Sequence, residues 1–111
     1  MDNTKIILRY LDSFSRKDMK ALSDLFSENI ELKDWNVSAT GKKSVLDINH
    51  NIFKNCKEIN VKPLALYSNN SLTFVAQIEI QFDNEKVISV VDLIEFDLDK
   101  KISKITAYLR Q

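Results

Sequence analysis

Glycine and proline occur once each in the 111 residues, at Gly41 and Pro63. A phosphate-cradling turn needs several glycines close together, so both types of glycine-rich nucleotide-binding loop are excluded. The single cysteine, Cys56, has no internal partner for a disulfide, and the single histidine, His50, cannot build a His-rich metal centre. Disulfide scaffolds and zinc fingers or ribbons are therefore excluded, and neither a metal nor a cofactor is expected. Net charge is lacking too: 16 Lys plus Arg balance 16 Asp plus Glu. That balance removes the long-range attraction on which binders of nucleic acid and anionic membranes depend, so neither partner is expected. No apolar run approaches the roughly 18 residues of a membrane span. The opening MDNTKIILRYLDSF places Arg9 and Asp12 where a signal peptide would need its apolar stretch, and a reducing cytoplasm is the expected location.

What is present suits a folded domain. With 44% hydrophobic and 29% charged residues, the chain reads as one domain over residues 1–111. A chain of this length buries roughly two thirds of its extended-state surface, enough for a core with one pocket. From Thr4 to Phe14, Ile6, Ile7, Tyr10, Leu11 and Phe14 recur at helical spacing, with Asp2, Asn3 or Thr4 as candidate caps. Asp18 then caps a short second helix bearing Met19, Leu22, Leu25 and Phe26. In NIELKDW, Ile30 and Leu32 alternate with polar residues, the period of a half-buried strand, and Asp34 shares their phase. After Gly41 a third helix carries Val45, Ile48, Ile52, Phe53 and Cys56 on one stripe, with Asn49 at its edge and His50 facing water.

From Ile59 onward the chain reads as four strands separated by turns at Asn69-Asn70, Asp83-Asn84-Glu85 and Asp97 to Lys101, where asparagine and aspartate take the turn conformations usually left to glycine. Leu72, Phe74, Ala76, Ile78, Ile80 and Phe82 fall on one face of the second of these strands. In the third, Ile88, Val90, Asp92, Ile94 and Phe96 form a row that one carboxylic acid interrupts. Helices followed by an antiparallel meander make an α+β domain, a cone with three helices against a curved antiparallel sheet around an apolar pocket.

Three polar groups lie in phase with core residues: Tyr10, Asp34 and Asp92. A tyrosine on an apolar helix face is commonly packing, and an aspartate at a strand end commonly starts a turn. Asp92 is harder to explain in this way, because an unpaired buried carboxylate costs several kcal/mol and either finds a donor or takes up a proton.

Two stretches, RYLDSFSRKDMKALSDLFSENIELKDW followed by Gly41, and VVDLIEFDLDKKISKITAYL, resemble the nuclear transport factor 2-like superfamily, with SnoaL-like polyketide cyclases and ketosteroid isomerases as the nearest branches. The resemblance spans nearly the whole chain, and its recurring residues mostly encode fold. It implies that Tyr10 matches the isomerase tyrosine, Asp34 the proton-shuttling aspartate and Asp92 the protonated aspartic acid that, with the tyrosine, stabilises an oxyanion. The pattern also departs from the isomerases. Trp35 stands where proline commonly follows the base, the loop from Asp34 to Gly41 is shorter, and Phe26 and Asn49 replace further tyrosines. No arginine falls inside a strand, as epoxide-hydrolase-like chemistry requires, and His50 lies on the wrong side of its helix for dehydratase-like chemistry.

The expected function is a cofactor-independent isomerase or cyclase acting by proton transfer next to the carbonyl of a small hydrophobic molecule, with Tyr10, Asp34 and Asp92 as catalytic groups and Phe14, Trp35, Asn49, Phe53, Phe74 and Val90 binding the ligand. The same residues admit two other readings: a noncatalytic binder of a small hydrophobic molecule, or a dimeric interaction module with a vestigial pocket. An open cavity where the three polar groups converge favours enzyme or binder, whereas a space filled by Phe14, Phe26, Phe53 and Phe82 favours the module. Val75, Val91 and Leu93, edged by Gln77, Glu79, Gln81 and Glu95, give the opposite side of the sheet an apolar centre, on which a homodimer is expected.

Overall fold

The computed structural model describes residues 3–70 and 72–110. Asp2, one of the candidate caps of the first helix, lies outside the described residues. The helical spacing near the start forms α1 (Asn3–Ser15), which buries Ile6, Ile7, Tyr10 and Leu11. Lys17, at φ 58, turns the chain out of the helix, and Asp18 N–H reaches back to Ser13 O at 2.9 Å. Asp18 then caps α2 (Met19–Leu25), its Oδ1 accepting from Ala21 N–H at 3.0 Å. The next elements are β1 (Phe26–Lys33), β2 (Ser38–Thr40), α3 (Lys42–Lys54), β3 (Ile59–Tyr67), β4 (Thr73–Phe82), β5 (Ile88–Phe96) and β6 (Ile102–Leu109). No helix among the described residues is long and apolar enough to cross a membrane.

The strands form one curved, open sheet in the order β2-β1-β6-β5-β4-β3. β3 to β6 are the four strands and the antiparallel meander read from the sequence. Two features differ from that reading. β2 is a three-residue strand within the stretch taken as a loop, too short to show any alternation, and it pairs antiparallel with β1. β1 also lies beside β6 and runs parallel to it, Leu32 opposite Ile105. Parallel neighbours need a long crossover; α3 and the first three strands of the meander supply it.

Bends occur where the register slips, in β1 between Phe26 and Glu31, in β3 between Pro63 and Ala65, and in β6 at Ser103, opposite the step from Glu95 to Phe96 of β5. Pro63 is tolerated because β3 is an edge strand, where a missing N–H leaves no ladder bond unmade. The concave face holds the core, in which Ile7, Leu22, Ile30, Ile94 and Ile102 are completely buried. α1 packs on β3, α3 on β1, and α2 bridges α1 to α3.

The scarcity of glycine has a structural consequence. Gly41, at φ 98, starts α3 in a conformation that side-chain-bearing residues rarely adopt, and its N–H bonds Ile30 O at 2.7 Å. The left-handed positions elsewhere fall to Lys17, Asp83 and Lys100. Asparagine and aspartate serve the turns mainly as acceptors: Asn70 Oδ1 takes the N–H groups of Leu72 and Thr73, and Asp97 Oδ1 those of Asp99 and Lys101. Asp83 serves in both ways, since its Oδ1 also accepts from Lys57 and Glu58 N–H, two bonds that hold its carboxyl below the usual range.

Removing the α2 cap has a defined cost. Asp18→Ala is expected to lower the unfolding free energy by about 1 kcal/mol with the m-value unchanged, read from urea denaturation.

Candidate functional site

Asp92 sits in the middle of β5, opposite Ala76 of β4 on one side and Ala107 of β6 on the other. These two alanines are what a carboxyl in an apolar row needs, because larger neighbours would fill the space in front of it. The result is a cavity of about 120 Å³ under α1 and α3. Its wall is apolar except for Tyr10 from α1, Asp34 after β1, Asn49 from α3 and Asp92. The four come from separate elements and meet in one hollow.

Tyr10 is 8% exposed and its ring packs against Phe26, centroids 6.0 Å apart. Burial, and then the nearby charge of Asp92, push its hydroxyl well above the ordinary phenol range, so it remains a donor. Asp92 is 6% exposed. Burial, reinforced by the negative charge of Asp34, pushes its pKa up to about 7. Near neutral pH it therefore keeps its proton for much of the time and can donate a hydrogen bond.

Asp34 is half-buried and does two things at once. Its Oδ1 accepts from Asn36 N–H at 2.7 Å and Val37 N–H at 2.8 Å, the aspartate-started turn that its position suggests, while the side chain also lines the cavity. The turn brings Trp35 to the cavity wall with 43% of its surface exposed.

Phe14, Trp35, Asn49 and Val90 line the cavity; Phe53 and Phe74, also expected to bind ligand, do not. Phe53 stands behind Phe14, edge to face at 5.1 Å, and supports the wall from outside it. Phe74 shares the inward row of β4, but it lies at the far end of the strand and packs on Phe96 at 5.9 Å. Alternation identifies a face and not a depth along it. The same limit hid Ile78, Ile80 and Phe82 of β4, Ile88 of β5 and Ile48 and Ile52 of α3, which do line the cavity. Their phase was visible, but no signal in the chain marked where along each element the hollow lies.

His50 is exposed, as its place off the apolar stripe of α3 suggests. Cys56 lies just past the end of α3, partly buried, with Sγ donating to Ile52 O at 3.3 Å. Among the described residues no three His, Cys, Asp or Glu side chains gather as a metal site.

The raised pKa of Asp92 couples folding to pH. An acid whose folded pKa exceeds its unfolded value of about 3.9 binds the proton better when folded, so its contribution is greatest at low pH and is lost as pH rises toward the folded value. The wild-type protein is expected to lose about 2 to 3 kcal/mol of stability between pH 5 and pH 8 from this group. Asp92→Asn should flatten that change, as measured by urea denaturation at both pH values.

No protein-family model matches the chain, and no curated protein matches its sequence. Solved structures do match. A ketosteroid isomerase-like protein from Kribbella flavida superposes with a TM-score of 0.85 at 12% identity, covering 99% of this chain and 78% of that one. A SnoaL-like protein of unknown function from Burkholderia thailandensis gives 0.84 at 10% identity over 98% and 94% of the two chains. A polyketide cyclase-like protein from Sinorhizobium meliloti gives 0.82 at 16% identity over 93% of each. At such identities the likeness speaks for architecture, and the three helices on a curved six-stranded sheet are the nuclear transport factor 2-like fold that these proteins share with this chain.

Proposed function

We propose that the cavity binds a small apolar carbonyl compound and catalyses proton transfer next to the carbonyl through an enolate, as an isomerase or cyclase. The observation that carries this reading is a protonatable carboxyl, Asp92, buried in a cavity that Tyr10 and Asp34 also line, its charge acting on the Tyr10 hydroxyl. Asp34 takes the proton from the α-carbon as the C–H bond breaks, and the electron pair moves onto the carbonyl oxygen. Tyr10 and Asp92 donate hydrogen bonds to that oxygen, whose charge is larger in the transition state than in the substrate. The proton returns from Asp34 to another atom of the enolate, which completes an isomerisation. The free oxygen of Asp34 is the one available for this, since Oδ1 holds the turn.

Phenol, a stable imitation of an enol, is expected to bind, and Tyr10→Phe or Asp92→Asn should each weaken it at least tenfold by calorimetry. Turnover separates enzyme from binder. With a monocyclic β,γ-unsaturated ketone, Asp34→Asn should keep phenol affinity and the turn, because an amide oxygen still accepts, yet lower isomerisation by at least about a hundredfold. Wild-type protein that binds phenol but neither isomerises the ketone nor exchanges its α-protons with D₂O would be a binder. The engagement of Asp34 Oδ1 in the turn favours that second reading.

We also propose that the convex side of the sheet pairs with a second copy of the chain. Tyr67, Val75, Leu93 and Thr106 stand in one row across it, and Ala65, Gln77, Val91 and Tyr108 in the next. Tyr67 and Tyr108 are 60% and 58% exposed, and large exposed rings on an apolar sheet face suit a self-complementary contact. Sedimentation at micromolar concentration should show a dimer, and Val91→Glu should shift it to monomer; a wild-type monomer rejects the idea.

A further inference from the structure

Asn49 is 5% exposed in the middle of α3, and its buried Nδ2 has no hydrogen-bond partner among the described residues. Its neighbours on the cavity side of the helix are Ile48 and Ile52, and the residue itself lines the cavity. In a helix interior asparagine is a weaker helix former than leucine, which has the same branching of heavy atoms. An orphan buried donor adds a desolvation cost that an apolar side chain would not incur. Among the described residues the packing around α3 offers this Nδ2 no acceptor, whereas a ligand oxygen inside the cavity would.

The size of the hollow narrows what that acceptor belongs to. At about 120 Å³ it is on the scale of the roughly 150 Å³ cavities that hold a benzene ring, and far from space for a fused polycycle. Tyr10 and Asp92 reach the cavity from α1 and β5, and Asn49 reaches it from α3, so Asn49 borders a different part of the hollow.

We infer that Asn49 is the specificity-determining residue of the cavity, its amide N–H binding a second oxygen of the ligand, so that the site selects single-ring carbonyl compounds carrying two oxygen functions over those with one. The inference rests on the enolate-site reading for the identity of the first oxygen. The Asn49 amide turns about its last side-chain bond to reach the ligand acceptor, a torsion with a broad, shallow preference.

The test pairs the three ethylphenols with the three hydroxyacetophenones, in which a carbonyl replaces the methylene at the same ring position and adds one acceptor. Wild-type protein is expected to bind at least one hydroxyacetophenone about tenfold more tightly than its ethylphenol counterpart by calorimetry. Asn49→Leu should abolish that preference while ethylphenol affinity stays within a fewfold, and Asn49→Ala, which adds no bulk, should do the same. An unchanged preference in both variants, or no preference for any isomer in the wild type, overturns the inference. Tyr10→Phe separates the two ideas. Ethylphenol binding that depends on Tyr10, with no effect of Asn49, leaves the enolate site standing and removes this inference. An acetyl preference that depends on Asn49, with ethylphenol binding indifferent to Tyr10, supports the amide anchor and rejects the oxyanion pair. Binding of none of the six compounds overturns both.

Discussion

A carboxyl held in a row of apolar side chains is the constraint around which this molecule is arranged. Asp92 occupies a position on β5 whose strand neighbours in the same phase, Val90 and Ile94, are buried hydrocarbons. Such a group cannot remain an unpaired anion without large cost, and no cation among the described residues lines its cavity. The structure answers by leaving it room. Ala76 and Ala107 flank it across the sheet, the bends in the strands curve that part of the sheet around a hollow, and the helices roof the hollow with Tyr10 and Asn49 instead of filling it.

Environment then separates the two acids. Asp92 is buried in hydrocarbon and tends to keep its proton, whereas Asp34 stands half-buried at a turn with two backbone N–H groups on one oxygen. The charge on Asp34 adds to the effect of burial by opposing ionisation of Asp92. Two chemically identical side chains thereby meet unlike surroundings within one cavity, and it is the buried one whose hold on its proton is raised.

Much of this was legible in the chain, and the illegible part has a common cause. Periodicity identified the three helices and the four strands of the meander, and the phase of Tyr10, Asp34 and Asp92 directed all three toward the same interior. Local patterns carry no information about depth, which is why Phe74 and Phe53 were assigned to a wall that Ile80 and Ile48 in fact help to build. Nor do they carry partner identity. The alternation in NIELK announced a strand, but only the completed sheet shows that its neighbour is β6 and that the two run in the same direction. The amide of Asn49 looked like the edge of a stripe; that its donor is orphaned depends on every residue packed around it.

The pairing of β1 with β6 has a temporal consequence. Phe26 lies opposite Ile102 and Leu32 opposite Ile105, so two segments separated by most of the chain form adjacent rungs of one ladder. During translation the helices and β1 emerge before β6, so the flank of β1 on which β6 lies stays uncovered until β6 has left the ribosome. β6 also carries Ala107, the neighbour of Asp92. The ladder that completes the sheet and the wall that completes the hollow therefore close in the same late step, and a nascent chain has no shelter for its buried acid before the architecture is whole.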